Sequence, residues 1–182
     1  MVRHLTITAL LLLMPTAAVA QDQAPTLEER IQRIEDREAI RDLILAYAVR
    51  LDARDFDGYV ELFAENGTWQ NGSTIRQGRD EIRAMLVGIY GDQAEIDTSD
   101  PSYRIVSNIE IALEGDRATA RSRQLTIMRG EGGAPKPVLS GIYEDELVRE
   151  NGEWKILHRT DRVVMPTPEE WRRRMEELRR GQ

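Results

Sequence analysis

The spacing of apolar residues changes along this chain, and that change constrains the fold more than any other feature. In the first half, apolar side chains recur every three or four positions, as in Ile40, Leu43, Ile44 and Tyr47, which is the period of a helix with one buried face. From Tyr103 onward they alternate with more polar neighbours, which is the period of a strand. The sequence therefore predicts an α+β domain, with helices packed on one face of a curved, mostly antiparallel sheet.

Local start and stop signals divide the chain into elements. Thr26 followed by Glu29 has the spacing of a capping box and opens the first helix. The apolar period of that helix breaks near Asp36, so either a short leading helix or a kink is expected there. The predicted elements that follow are a short helix over 55–64, a strand over 68–75, a helix over 78–90, four strands over 103–113, 117–129, 138–149 and 153–164, and a last helix from Pro168 carrying Trp171, Met175 and Leu178. Helices on one face of a sheet enclose a cavity, where a small ligand is expected to bind.

The first twenty residues have the pattern of a secretory signal peptide. A basic start precedes an apolar run over 5–14, and the segment ends in Ala18-Val19-Ala20. The run is shorter than the ~20 apolar residues that a membrane-spanning helix needs. We therefore expect a periplasmic or secreted protein without membrane contact after cleavage. Its expected parts are a signal peptide over 1–20, a linker over 21–26, one domain over 27–165 and a C-terminal helix over 166–182.

Composition removes several classes of site. The 182-residue chain has no cysteine and two histidines, and one of these, His4, lies in the expected leader. The mature chain would therefore have no thiol nucleophile, disulfide or zinc-thiolate site, and its single histidine, His158, would exclude a two-histidine metal site within one chain. The net charge of −7 argues against a general nucleic-acid-binding surface.

One predicted strand has two unlike faces. In the strand over 117–129, Ala118, Ala120, Ser122 and Gln124 are small or uncharged, whereas the alternate positions are rich in arginine. The first set is predicted to face the helices. Its polar members either line a pocket, with Gln124 as a substrate contact, or satisfy hydrogen bonds within the core. Both interpretations remain open at this point.

The last predicted strand carries the histidine of the mature chain. His158 and Arg162 share the alternation of Trp154 and Ile156, so they are predicted to face the cavity and to need polar partners there. Asp52, at the end of the first long helix, is the best available partner. Paired with His158 it would form an acid–base pair, whereas as a cap of the next helix it would be structural.

Two more polar or amphipathic positions are predicted substrate contacts. Asn108 lies within a strand, where asparagine is disfavoured, so its amide either contacts substrate or is satisfied structurally. Trp69, in the first predicted strand, is the second of these predicted substrate contacts.

The order of several motifs resembles the SnoaL-like domains of the nuclear transport factor 2-like superfamily. The resemblance covers about 27–165. It is carried by Glu35–Leu43 with Tyr47, by Leu51–Asp57, by Ile105–Ile109, and by the pattern Gly141-x-Tyr143-x-Asp145 with Gly152-x-Trp154 and Arg159 after it.

The resemblance implies a cone-shaped α+β barrel that binds a small molecule, forms a homo-oligomer (a dimer or trimer, with dimerisation through the sheet face) and uses no cofactor or metal. The enzymes it suggests are scytalone dehydratase-like, bile-acid dehydratase-like and dehydrochlorinase-like lyases. It implies a pocket aspartate at Asp52 and a pocket tyrosine at Tyr47. The position expected to carry the catalytic histidine holds Arg104, whose guanidinium stays protonated and cannot act as a general base.

Two hypotheses follow. In the first, the chain is a cofactor-free lyase, dehydratase, hydratase or isomerase acting on a small hydrophobic or polycyclic substrate. Asp52 would be the acid/base, Tyr47 a hydrogen-bond donor, and Arg104 or His158 the electrostatic partner; Asp52 and Arg104 should then meet in one cavity. In the second, the chain is a non-enzymatic ligand-binding or interaction domain with a degenerate active site.

Overall fold

The computed structural model describes residues 24–91 and 102–180. The predicted signal peptide, the linker up to residue 23 and the predicted loop over 92–101 lie outside these ranges. The helices are α1 (Leu27–Asp52), α2 (Phe56–Val60), α3 (Gly78–Tyr90) and α4 (Pro168–Arg180). The strands are β1 (Phe63–Asn71), β2 (Thr74–Gln77), β3 (Tyr103–Glu114), β4 (Arg117–Arg129), β5 (Pro135–Glu150) and β6 (Glu153–Met165), with a short 3-10 turn, Glu131–Gly133, between β4 and β5.

The strands form one sheet in the order β2-β1-β6-β5-β4-β3. Neighbouring strands are antiparallel except β1 and β6, which run parallel. The predicted α+β class with a mostly antiparallel sheet is confirmed. The sheet is not closed into a barrel, because β2 and β3 stand at its two edges.

The region before β3 differs from its prediction in detail. The helix expected over 55–64 is the shorter α2, and β1 already begins at Phe63. The strand expected over 68–75 is divided between β1 and β2, which a tight turn at Gly72 joins. Gly72 has φ +56°, a backbone conformation that glycine adopts without steric cost.

Helix α1 continues without interruption through Asp36, where a break or a kink was predicted. Thr26 and Glu29 close the capping box at its start. The Asp36 carboxylate accepts hydrogen bonds from Arg149 Nη2 (2.5 Å) and Trp154 Nε1 (3.2 Å). These bonds anchor the middle of α1 to the β5–β6 hairpin, so the helix continues although its apolar period is interrupted.

The core lies between the helices and the sheet face that they cover, which we call the inner face; the opposite face is the outer face. Fully buried aromatic rings occupy its centre. The Tyr47 ring lies 4.6 Å from the Tyr59 ring and 5.2 Å from the Tyr143 ring, between centroids. Burial of each such side chain stabilises the fold by about 1.5–3 kcal/mol.

A register shift between β5 and β6 decides which residues reach the inner face. Leu147 pairs with Ile156, but the next residue of β5, Glu146, pairs with His158. Leu157 is therefore an extra residue in β6. A bulge of this kind reverses the alternation of the strand beyond it.

The bulge corrects the predicted orientation of two site residues. Arg159 and Asp161 pair with the inward-facing Asp145 and Tyr143, so they face inward. His158 and Arg162 were predicted to face the cavity because they share the parity of Trp154. They lie on the outer face instead, because the extra residue falls between them and Trp154.

A second shift lies in β3, between Ser107 and Glu110. Asn108 has φ +52° there and is exposed. Asparagine is among the few residues enriched in this left-handed conformation, which accounts for its presence within a strand. The bulge turns Ile105 outward and Ile111 inward, although one unbroken alternation was predicted for both.

Candidate functional site

A fully buried ion pair stands at the centre of the inner face. Arg159 donates to Asp145 with two parallel hydrogen bonds, Nε to Oδ1 at 2.6 Å and Nη2 to Oδ2 at 2.7 Å. Both side chains have no solvent exposure. Burial opposes the charge on Arg159, but Asp145 holds the pKa of its guanidinium above the usual value. A bidentate pair of this kind fixes the orientation of the guanidinium.

Aromatic rings enclose the same guanidinium. The Arg159 guanidinium carbon lies 3.9 Å from the centroid of the Tyr47 ring and 4.6 Å from that of Tyr143. The Tyr47 hydroxyl accepts a hydrogen bond from Trp69 Nε1 at 3.1 Å. Burial raises the pKa of Tyr47 to about 12, and burial also raises the pKa values of Tyr59 and Tyr143. These phenols are therefore neutral hydrogen-bond donors at physiological pH.

Asp161 is the unusual acid of the site. It lies on β6 directly opposite Tyr143, which in turn lies opposite Ser122 of β4. Its Oδ1 atom is buried and has no hydrogen-bond partner within residues 24–91 and 102–180. Burial raises the pKa of the Asp161 carboxyl to about 6, against the opposing attraction of Arg159 and Arg104.

Three polar atoms on this part of the inner face lack partners among the described residues. They are Ser122 Oγ, Arg159 Nη1 and Asp161 Oδ1. Leaving a buried polar group unpaired costs about 1–3 kcal/mol, and native proteins retain few such groups. Three of them, on β4 and β6, the two strands that flank β5, are the arrangement expected where polar groups of a ligand or of solvent bind.

A second polar cluster joins the end of α1 to the start of β3. Asp52 accepts hydrogen bonds on both oxygens, from Arg104 Nη1 at 2.6 Å and from the Arg104 backbone N at 2.8 Å. Arg104 Nη2 also donates to the Tyr90 hydroxyl at 2.9 Å. The carboxylate and guanidinium side chains are 19% and 12% exposed. Asp52 is not a helix cap, because Asp55 caps α2 through the Gly58 backbone N.

The structure thus brings four predicted site residues to the inner side. Tyr47 and Trp69 are joined by the hydrogen bond described above, and Asp52 and Arg104 form an ion pair. Gln124 is also buried; it accepts a hydrogen bond from Thr126 Oγ1 at 3.1 Å. The catalytic and substrate-binding roles of these residues stay predictions.

The other three predicted residues lie elsewhere. The His158 ring is 3.2 Å from Thr160 Oγ1 and lines a cavity of about 480 Å³ on the outer face. Arg162 is half-exposed on the same face and donates to Glu144 at 3.3 Å. Asn108 is exposed in the β3 bulge. None of the three faces Asp52 or Tyr47.

Asp161 and Arg159 are the residues that sequence reasoning missed. Their signal was present, because an arginine and an aspartate two positions apart in one strand must share a face. However, unbroken alternation from Trp154 predicts that His158 faces inward and Asp161 outward, because it does not include the extra residue.

A separate groove lies between α3 and the β1–β2 hairpin. Its volume is about 910 Å³, and Trp69, Arg76, Glu81, Met85 and Ile89 are among the residues that line it. Trp69 is shared between this groove and the tyrosine cluster, because its ring nitrogen reaches Tyr47.

Within residues 24–91 and 102–180, no group of three or more histidine, cysteine, aspartate or glutamate side chains is arranged to hold a metal ion. None of the helices in the same ranges is long and apolar enough to cross a membrane.

Helices on one face of an open six-stranded sheet, with a buried polar site between them, define an α+β domain of the nuclear transport factor 2-like, cystatin-like fold. Residues 32–160 match the model of the SnoaL-like domain. The chain therefore belongs to the SnoaL-like domain family.

Solved structures share this fold. A nuclear transport factor 2-like protein with a cystatin-like fold from Novosphingobium aromaticivorans is 24% identical, with 82% of this chain and 96% of that chain covered and a TM-score of 0.68. From the same organism, a candidate scytalone dehydratase is 26% identical, with 75% and 89% covered and a TM-score of 0.63. A candidate aromatic ring hydroxylase from it is 28% identical, with 79% and 94% covered and a TM-score of 0.60. Among curated proteins, none matches the chain.

Proposed function

We propose that the protein is an acid–base catalyst, a lyase, dehydratase, hydratase or isomerase, for a small and mostly apolar substrate held between α1 and the inner face. One observation carries the proposal: Asp161 has a buried, unpaired oxygen and a pKa raised to about 6. A carboxyl that titrates near neutrality both accepts and returns a proton efficiently at physiological pH. The proposed proton transfers use only groups that the chain itself holds.

The neighbours of Asp161 fit a reaction in which negative charge develops on a substrate oxygen. Ionised Asp161 takes a proton from the substrate, and the electron pair left behind moves toward that oxygen. Arg159 Nη1, fixed by the Asp145 pair, donates a hydrogen bond to it. Asp161 then returns the proton, either to a leaving hydroxyl, which departs as water, or to another substrate carbon, which gives an isomer.

The Asp52–Arg104 pair has a different part in this proposal. Both Asp52 oxygens already accept hydrogen bonds from Arg104, so fewer lone pairs are free to receive a substrate proton. Arg104 also opposes the rise in the pKa of Asp161. We therefore assign Asp52 and Arg104 to positioning and charge balance at the site, and the acid/base role to Asp161.

The comparisons support an enzyme of this class without naming a substrate. The candidate scytalone dehydratase is similar to this chain at 26% identity over 75% of its length. By its name, that protein is a dehydratase, and the loss of water is among the reactions proposed here.

The test begins with the ligand. Small molecules that copurify with the protein are identified by mass spectrometry under denaturing conditions, and hydroxylated and halogenated cyclic compounds related to them are then assayed for turnover. Asp161→Asn is expected to lower kcat by about 10²–10⁴-fold, because it removes the proton acceptor, and to change KM little. Asp52→Asn is the matched variant and is expected to retain more activity. Loss of turnover in Asp52→Asn with full activity in Asp161→Asn would transfer the acid/base role to Asp52.

A second function is favoured by Arg104, which occupies the position where the family resemblance implies a histidine. In that alternative the chain binds a small molecule without converting it. The alternative would be supported if a ligand copurifies with the protein and neither the wild type nor Asp161→Asn converts it in any assay.

A further inference from the structure

The groove between α3 and the β1–β2 hairpin is separate from the polar site of the inner face. Its volume is about 910 Å³, within the range of about 300–1,000 Å³ that is usual for sites of small molecules. Trp69 lines it, but Ser122, Arg159 and Asp161, which carry the unpaired polar atoms, do not. A ligand of the groove would therefore leave the proposed acid–base site unoccupied.

The hairpin brings an aromatic ring and a cation together at the groove. Trp69 and Arg76 pair directly across β1 and β2, so their side chains share a face, with Cβ atoms about 4.5–5.5 Å apart. Within residues 24–91 and 102–180, the Arg76 side chain makes no ion pair and one hydrogen bond, from Nη1 to the carbonyl oxygen of Ile75 at 2.8 Å. Its other N–H groups are available to an anionic ligand group.

Helix α3 forms the opposite wall of the groove with a largely apolar stripe. Met85, Gly88 and Ile89 lie on one side of the helix at i, i+3 and i+4, and Ile89 is 61% exposed. A Cβ atom added to Gly88 would meet nothing within 4 Å. Glycine destabilises the interior of a helix relative to alanine, and no close contact requires it here. What the missing side chain provides is open volume in the groove.

Glu81 is the acid among the described residues that line the groove. Its Oε2 atom accepts a hydrogen bond from the Gln77 backbone N at 3.0 Å, at the start of α3, where the helix dipole favours a negative charge. Glu81 thus caps the helix, whereas the charge of Arg76 has no counter-charge of its own. The groove is therefore suited to an anion with an apolar body.

We propose that this groove is a second ligand site, which binds a small aromatic carboxylate. The carboxylate accepts hydrogen bonds from Arg76, and the aromatic ring packs between Trp69 and the apolar stripe of α3. Gly88 leaves the space that the ring occupies. The proposal is independent of the chemistry assigned to Asp161.

Titration with cinnamate and with the neutral cinnamyl alcohol tests the role of charge. Nuclear magnetic resonance of ¹⁵N-labelled protein follows the ring N–H of Trp69, whose resonance is identified by its loss in Trp69→Phe. Cinnamate is expected to bind about tenfold more tightly than the alcohol, and Arg76→Gln to remove this difference. Arg123→Gln is the matched control, since it removes the same charge from an exposed position of the outer face. No binding of cinnamate to the wild type, equal affinities for the two probes, or an unchanged cinnamate affinity in Arg76→Gln would overturn the proposal.

Substitutions of Gly88 test the place of binding. Gly88→Leu fills the groove and is expected to abolish the binding of both probes, whereas Gly88→Ala adds one methyl group in open space and should retain it. Asp161→Asn distinguishes the inner site, because removing that negative charge would strengthen the binding of an anion there. Cinnamate that binds more tightly to Asp161→Asn, and as well to Gly88→Leu as to the wild type, would contradict the proposal. Circular dichroism checks that each variant is folded.

Discussion

At the scale of single residues, the environment of Asp161 distinguishes it from the other acids of the interior. Asp145 is neutralised by two bonds from Arg159, and Asp52 by two bonds from Arg104. Asp161 has no such partner at Oδ1 among the described residues. Removing a carboxylate from water without pairing it raises its pKa, as burial does for Asp161, so this residue is suited to gain and lose a proton near neutral pH.

The raised pKa of Asp161 predicts how stability depends on pH. The folded state holds the proton up to pH of about 6, whereas an unfolded aspartate loses it near about 3.9. Between these values the folded state binds more protons, so the free energy of unfolding falls as pH rises. Asp161→Asn removes this dependence and should stabilise the protein at pH 7–8 by roughly 2–3 kcal/mol. Urea unfolding at a series of pH values measures it; equal pH profiles for variant and wild type would contradict the prediction.

The Asp145–Arg159 pair predicts a large loss of stability when one partner is removed. Asp145→Asn leaves a fully buried guanidinium without its counter-charge and should lower the free energy of unfolding by about 3–5 kcal/mol. Glu144→Gln is the neighbouring control on β5. Its contacts to Arg121 and Arg162 are about half-exposed, so it should cost below about 1 kcal/mol. Equal losses in the two variants would show that the buried pair contributes no more to stability than the half-exposed contacts of Glu144.

At the scale of secondary-structure elements, periodicity was sufficient for the class of fold and for β4. The inward set Ala118, Ala120, Ser122 and Gln124 is buried as its alternation predicts. Alternation failed in β3 and β6, because both strands contain extra residues that no composition signal marks unambiguously. Asn108 marks the first bulge only after its φ is known, and Leu157 is an ordinary strand residue.

The bulge at Leu157 in β6 explains why the site was predicted only in part. Tyr47 and the pair formed by Asp52 and Arg104 lie at positions that the family resemblance identifies, and the structure brings these side chains to the inner side. His158 and Asp161 exchange faces because of a single inserted residue. The long-range hydrogen bonds of Asp36, which anchor the middle of α1, likewise join residues more than a hundred positions apart and have no local signature.

The β3 bulge requires a left-handed backbone conformation at Asn108, and substitutions can test this requirement. Its φ of +52° costs an ordinary side chain about 1–2 kcal/mol, and a β-branched side chain is the least tolerant of it. Asn108→Val should therefore lower the free energy of unfolding by that amount, and Asn108→Gly should leave it within about 0.5 kcal/mol. Because the residue is exposed, lost packing does not contribute. If Asn108→Gly were the less stable variant, the conformational explanation would be wrong.

At the scale of the whole molecule, the leader remains a proposal from sequence. We propose cleavage after Ala20, so the mature protein should begin at Gln21. Intact-mass measurement of protein from the extracytoplasmic fraction tests this, and replacing Ala18 and Ala20 with bulky residues should leave the full-length chain unprocessed. A mature protein that still begins at Met1 would contradict export by this route.

In the described part of the domain, α1 and the sheet enclose the Asp161 carboxyl, whose Oδ1 lacks a partner there, in an aromatic interior. The buried Asp145–Arg159 pair joins β5 to β6, and the Asp52–Arg104 pair ties α1 to the edge strand β3.

Titration of the Asp161 carboxyl itself is the sharpest test that this residue is a near-neutral acid in the interior. Nuclear magnetic resonance of ¹³C-labelled protein follows the side-chain carboxyl carbon of each aspartate against pH, and the Asp161→Asn spectrum identifies the resonance. We expect a midpoint at a pH of about 6. A midpoint near the ordinary aspartate value of about 3.9 would contradict it and would remove the basis for the proposed acid–base role.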